Sequence, residues 1–320
     1  MGLSKMDVWQ IILICFVASG ILLWISSYFI ISFIVYWKTL VRTSPKKWSR
    51  ECSIRDDSEQ IKMYEHAETW YAQYADKKTD VDIVNDGFHL YGEYMDFGFD
   101  KAVIIIAGRT EGCKYSYYFA EPYRKAGYNV LAIDNRAHGL SGGKYNALGL
   151  KEYSDILAWG KFLHEEKNNK QIVLHGICIG SATALYALIS ERCPDYMVGM
   201  VADGMYVDFR ETTKNHMIEQ NRKVYPCLDI IMWFFKLFTK EDAVKNGPIR
   251  VIDKLKKPIL FIYSKEDIYS VPEKGQLLYD TCQGPKKLVW FDKGAHSKVR
   301  INNTEKYDDT VVEYLKEMWG

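Results

Sequence analysis

From Val8 to Trp37 the chain carries no charged side chain, and no other stretch so restricts what it can become. The run exceeds the roughly 20 apolar residues a helix needs to cross a bilayer, so a transmembrane helix is expected over residues 8–37, behind a short tail of residues 1–7. A cleaved signal peptide would have an apolar part of about 7 to 15 residues followed by a small-residue cleavage site; here the run ends in Tyr36, Trp37 and Lys38. Trp9, Tyr36 and Trp37 at its ends suit a membrane interface. Lys38, Arg42, Lys46, Lys47 and Arg50 follow on one side, against Lys5 alone on the other. By the positive-inside rule this puts the C-terminal part in the cytoplasm, as in a single-pass protein of the cell membrane.

The seven cysteines agree with that side. Cys15, Cys52, Cys113, Cys178, Cys193, Cys227 and Cys282 are odd in number and widely spaced, without a Cys-x-x-Cys pair or a clustered zinc-ligand spacing, and read as reduced thiols. Lys+Arg 42 against Asp+Glu 41 leaves a net charge of +1, so nothing calls for a nucleic-acid partner. With 320 residues, 48% of them hydrophobic, the chain can build a large core.

Residues 38–80 read as a juxtamembrane linker carrying a helix, since apolar residues recur every three or four positions from Ile61 to Tyr74. From residue 81 to 320 the pattern becomes alternating strands and helices. Val81 to Phe97 reads as two strands around an Asn85-Asp86-Gly87 turn. Ala102–Gly108, Asn129–Asp134, Gln171–Gly176, Met197–Asp203, Pro258–Ser264 and Lys287–Phe291 are short apolar runs of the kind buried in parallel sheets. Helical stretches lie between most of them: Tyr115–Lys125, Lys151–His164, Ile179–Glu191, Glu273–Cys282 and Thr304–Met318. The expectation is an α/β fold, a mostly parallel eight-stranded sheet with helices on both faces and its ligand site at the carboxyl ends of the strands.

One such end is HGICIG, His175 to Gly180. A strand runs into a sharp turn and then a helix, which would lift the Cys178 side chain above the sheet edge, while Gly176 and Gly180 let strand and helix pass closely. The helix N-terminus behind the sulfur favours a thiolate. A small buried cysteine between two glycines is the plain alternative. Against it stands the position of two later residues: Asp267 lies just past the strand ending near Ser264, and His296 just past the last strand, the chain order of nucleophile, acid and base. His175 reads as a packed core histidine and His138 as a residue tying down a loop. His66, His89, His164 and His216 have no motif context. Asp203, at the end of its own strand, is a second candidate for the acid.

From about Val81 to its C-terminus the chain resembles the α/β-hydrolase superfamily, and within it a bacterial, membrane-anchored branch of serine-aminopeptidase-like hydrolases. The resemblance rests on IIIAGRT for the oxyanion strand, AIDNRAHGLSGG for the Asp-x-Arg-x-His-Gly-x-Ser loop, LHGICIGSATAL for the elbow, KKPILFIYSKEDIYSVP for the acid loop and GAHS for the histidine loop. Two positions depart from that branch. Its elbow normally carries Ser, so Cys178 is similar to the cysteine nucleophile of dienelactone hydrolases. Ala107-Gly108 replaces the usual His-Gly. The resemblance implies a Cys178-His296-Asp267 triad working through an acyl-enzyme, an oxyanion hole of the Arg109 and Ile179 backbone N–H groups, and no metal or organic cofactor.

The substrate class stays open at this level. Residues 204–255 form an insertion that in this fold can cap the site, and its apolar DIIMWFFKLF (Asp229 to Phe238) suits either an acyl chain or the core. Hydrolysis of an ester or thioester of a small-molecule or acylated substrate is preferred. A peptidase, a cysteine acyltransferase and a catalytically inactive binding protein are the alternatives.

Overall fold

The structure, a computed structural model, describes residues 7–52 and 56–320; most of the expected N-terminal tail, Lys5 included, and three residues of the linker lie outside the described residues. Helix α1 (Val8–Leu40) opens on a capping box. The Asp7 carboxylate accepts from the Gln10 backbone N–H at 2.9 Å and the Gln10 side chain accepts from the Asp7 N–H at 3.1 Å. The helix is long and apolar enough to cross a membrane and runs past Trp37 by three residues. Helix α2 (Ser58–Gln73) then lies against the folded body, burying Met63, Tyr64, Ala67 and Trp70.

Eight strands form one sheet in the order β1-β2-β4-β3-β5-β6-β7-β8: β1 (Lys78–Asn85), β2 (Phe88–Met95), β3 (Lys101–Ile106), β4 (Asn129–Ile133), β5 (Gln171–Ile177), β6 (Met197–Asp203), β7 (Ile259–Ser264) and β8 (Lys286–Phe291). Strand β2 is antiparallel to both neighbours, and every pairing from β4 to β8 is parallel. The β1–β2 turn is Asp86-Gly87 with φ of 50° and 78°, the positive pair that a two-residue hairpin turn requires.

Alternation along each central strand feeds two cores. Ile104, Leu131, Leu174 and Phe261 face α5 (Tyr153–Glu165), α6 (Ile179–Leu188) and α9 (Pro272–Thr281). Val103, Val130, Val173 and Leu260 face α2 and α11 (Thr304–Trp319). The same face takes α3 (Cys113–Ser116) and α4 (Glu121–Lys125). Two helices, α7 (Phe209–Glu219) and α8 (Cys227–Thr239), follow β6 as a small helical cap. The short α10 (Val299–Asn302) precedes α11.

One expected element is broken. The helix read over Tyr115–Lys125 is two short α-helices joined by a 3-10 turn, Tyr117–Phe119. Pro122 has no N–H to give the Tyr118 carbonyl four residues back, and the Arg300 guanidinium donates to that carbonyl instead.

Candidate active site

Cys178 sits between β5 and α6 with φ 53° and ψ −111°, a conformation costly for a non-glycine residue and held by the structure around it. Its two glycines are compulsory for steric reasons. A Cβ on Gly180 would lie 1.9 Å from the Ile106 carbonyl oxygen, and one on Gly176 would lie 2.3 Å from the Ser181 nitrogen. The sharp turn raises Cys178 into a cavity of about 460 Å³, within the range of small-molecule sites.

His296 reaches the same cavity from the loop after β8. Its Nδ1 lies 2.7 Å from Asp267 Oδ2. Burial disfavours the imidazolium, but Asp267 and then Cys178 outweigh it and raise the pKa well above the ordinary histidine value. Asp267 Oδ1 accepts the backbone N–H groups of Tyr269 and Ser270, both at 2.8 Å. Burial pushes this carboxyl up, and His296 together with these donors pulls it below the usual range. Nucleophile, base and acid read from the sequence are therefore brought together.

Asp203 is not part of that chain of contacts. It is fully buried, accepts the Tyr307 hydroxyl at 2.8 Å on Oδ2 and is pushed up to about 7, chiefly by burial. His175 packs in the core with Nδ1 2.6 Å from the Tyr123 hydroxyl; burial, with the Arg300 charge adding, drives it down to about 3, so it stays neutral. His138 does more than hold its own loop. Its Nε2 lies 2.5 Å from the Arg109 carbonyl oxygen and its ring stacks on Trp48 at 4.7 Å, fixing the strand end that carries the Arg109 N–H. Ile179, whose N–H is the first of α6, lines the cavity, as does Arg109. The rest of the Asp-x-Arg-x-His-Gly-x-Ser loop is scaffold. Arg136 grips Asp155 through Nε at 2.9 Å and Nη2 at 2.6 Å, and the Ser141 hydroxyl donates to the Asp134 carbonyl at 2.6 Å.

Several lining residues carried no sequence signal. His216, on α7, stacks on Tyr269 with centroids 3.7 Å apart, and Tyr269 meets the His296 ring edge-on at 5.6 Å. Burial, then the charges on Arg109 and His296, lower His216 to about 4, so it faces the site as a neutral ring. Val35 and Thr39 of α1 also line the cavity.

A strained strand-to-helix elbow at the carboxyl edge of an eight-stranded sheet, with a histidine and a carboxylate after later strands, defines a class of protein. A family model for the alpha/beta hydrolase fold matches residues 101–226. The Bacillus subtilis (strain 168) protein YqkD is 33% identical over 221 residues, 68% of this chain and 72% of its own. An uncharacterized membrane protein of Saccharomyces cerevisiae is 26% identical over 196 residues, 61% of this chain and 63% of its own. Among solved structures, the Pyrococcus furiosus esterase Pf2001 superposes with a TM-score of 0.66 at 25% identity, covering 86% of this chain and 99% of that one. The chain belongs to the α/β-hydrolase superfamily.

Proposed function

We propose that the chain is a membrane-anchored acyl-bond hydrolase of the serine-aminopeptidase-like branch, with Cys178 as nucleophile, His296 as acid and base and Asp267 as its orienting carboxylate. One observation carries the reading: His296, with Nδ1 2.7 Å from Asp267, lines the same cavity as Cys178, which stands there on a strained elbow. The thiolate attacks an acyl carbonyl, and the oxyanion forms against the Ile179 and Arg109 N–H groups. The C–S bond is then in place, the bond to the leaving alcohol or thiol breaks, and His296 protonates that group as it departs. Water, losing its proton to His296, attacks the thioester, and the acid leaves as the C–S bond breaks. Esters and thioesters fit this sequence better than amides, since their leaving groups need less help. Similarity to the Pyrococcus furiosus esterase Pf2001 supports the same class.

The arrangement proposed with it is an anchor over residues 8–37, a linker to residue 80 and a cap over 204–255. Stopping a reaction with p-nitrophenyl butyrate in acid should trap a butyryl group on the full-length chain, and peptide mass mapping should place it on Cys178. An adduct on another residue, or none during steady turnover, sinks this reading. The catalytic domain is assigned to the cytoplasm on the basic residues after Trp37. A C-terminal green fluorescent protein should therefore glow and a C-terminal alkaline phosphatase stay silent; the reverse pattern inverts the topology.

A further inference from the structure

We propose that α1 is a wall of the substrate site as well as an anchor, so that the acyl groups reaching Cys178 are long chains of esters dissolved in the same bilayer. The inference rests on the acyl-hydrolase reading and names its substrate class.

The last third of α1 is not a free tether. It lies along the cap helix α8 through a ladder of rings: Phe29 on Trp233 at 6.3 Å, Phe33 on Phe234 at 5.3 Å, Tyr36 on Phe238 at 5.4 Å and Trp37 on Phe238 at 6.0 Å. A helix leaves its last carbonyls unpaired, and here the folded body supplies the donors. Lys47 Nζ donates to the Trp37 carbonyl at 3.3 Å, Asn146 N–H to that of Leu40 at 3.0 Å and Arg109 Nη1 to that of Thr39 at 3.1 Å. Arg109 is the residue whose backbone faces the oxyanion. The helix end and the catalytic strand end are therefore one rigid unit.

That docking places membrane-helix side chains beside the nucleophile. Val35 and Thr39 line the cavity that holds Cys178, and Phe209, Met217 and Ile231 of the cap contribute to its apolar part. Asp57, Glu111 and Lys298 contribute charge to the lining, as do Arg109 beside Thr39 and Arg222 between the cap helices. An amphiphile matches a lining that mixes the two, its chain along Val35, Phe209, Met217 and Ile231 and its polar end at one of the charged groups.

Exposure sets the range of levels the bilayer can take. Large apolar side chains of α1 stay exposed from Val8 to Ile34, the last of them 45% exposed, one residue before Val35. At 1.5 Å per residue these 27 positions reach about 40 Å, longer than the roughly 30 Å hydrocarbon layer. Hydrocarbon can therefore extend to the cavity wall. Trp233 at 51% and Leu237 at 42% exposure carry the same apolar surface onto α8, continuous with the span through the Phe29–Trp233 contact. Their occupant is the lipid surface, because a patch continuous with a membrane-crossing helix has no water to face.

The test uses the full chain in phosphatidylcholine vesicles and the ratio of kcat/KM for p-nitrophenyl palmitate, which partitions into the membrane, to that for p-nitrophenyl butyrate. Val35→Trp should lower this ratio roughly 10-fold or more, the scale on which filling an apolar pocket discriminates between chains, and Val35→Phe should lower it less. Ile30→Trp, on the lipid-facing side of the same helix and 59% exposed, should leave the ratio where it was. Far-UV circular dichroism and a thermal melt report whether each variant is folded. An unchanged ratio in properly folded Val35→Trp, or an equal fall in Ile30→Trp, overturns the proposal. Retention of both activities in Cys178→Ala would instead overturn the assignment of Cys178 as nucleophile, whatever Val35 does.

Discussion

Single replacement of Cys178 or His296 by alanine, and replacement of both together, are each expected to lower ester turnover by the same large factor, roughly 10⁴ to 10⁶, because groups that act as one unit are lost as one unit. The structure supplies the reason. His296 pairs with Asp267 and lines the same cavity as Cys178, so in the proposed mechanism neither the sulfur nor the ring works without the other. The measurement is kcat with p-nitrophenyl butyrate for the two single variants and the double. Multiplied losses in the double variant would show two independent routes and contradict the assignment. Cys178→Ser adds a discriminating arm. It restores the side chain usual at this elbow, and with His296 and Asp267 intact it should keep measurable turnover of oxygen esters, well above the Cys178→Ala level.

Asp267→Asn should cost about 10⁴ in kcat, because an amide facing Nδ1 turns its N–H toward the ring and imposes the wrong tautomer. It should also change the pH dependence of stability in a defined direction. The folded pKa of His296 is raised, so its contribution to stability is fully present below about 6.5, the unfolded value, and fades as pH rises through the folded one. The folded pKa of Asp267 is lowered, so its contribution is present above its unfolded value of about 3.9 and is lost as pH falls through the folded one. The gap in Tm between the native chain and Asp267→Asn should therefore be widest from about pH 4 to 6.5 and should narrow on the alkaline side. Thermal melts across pH 4 to 9 decide it. A gap that widens above pH 7 would mean that His296 is not the partner Asp267 stabilises.

Much of the scaffold was legible because its signals are local. Ala102–Gly108 and Gln171–Gly176 read as buried strands because β-branched and aliphatic residues fill most positions, and a strand in mid-sheet is covered on both faces. Cys178 could be placed at an elbow because two glycines flank it, and the contacts a Cβ would make at Gly176 and Gly180 show why no other residue serves. The chain order of Cys178, Asp267 and His296 was legible too, since parallel crossovers bring successive strand ends to one edge. The short helices between Cys113 and Lys125 were not. The three aromatic side chains of Tyr117–Phe119 all look inward, and the arginine that takes the Tyr118 carbonyl comes from residue 300.

The sequence by itself determined a long apolar helix, a mostly parallel sheet and three residues with the chemistry of acyl transfer, because hydrophobic period, turn chemistry and side-chain type are properties of short stretches of chain. Only the tertiary structure decided that His296 pairs with Asp267 while Asp203 turns to Tyr307. It alone brought His216 over the site. It also made α1 part of the cavity, through Arg109 on a carbonyl 70 residues away and rings of α1 on rings of α8. Such contacts depend on where separate elements meet, and ring stacking and carbonyl capping accept many partners, so no spacing within the chain encodes them.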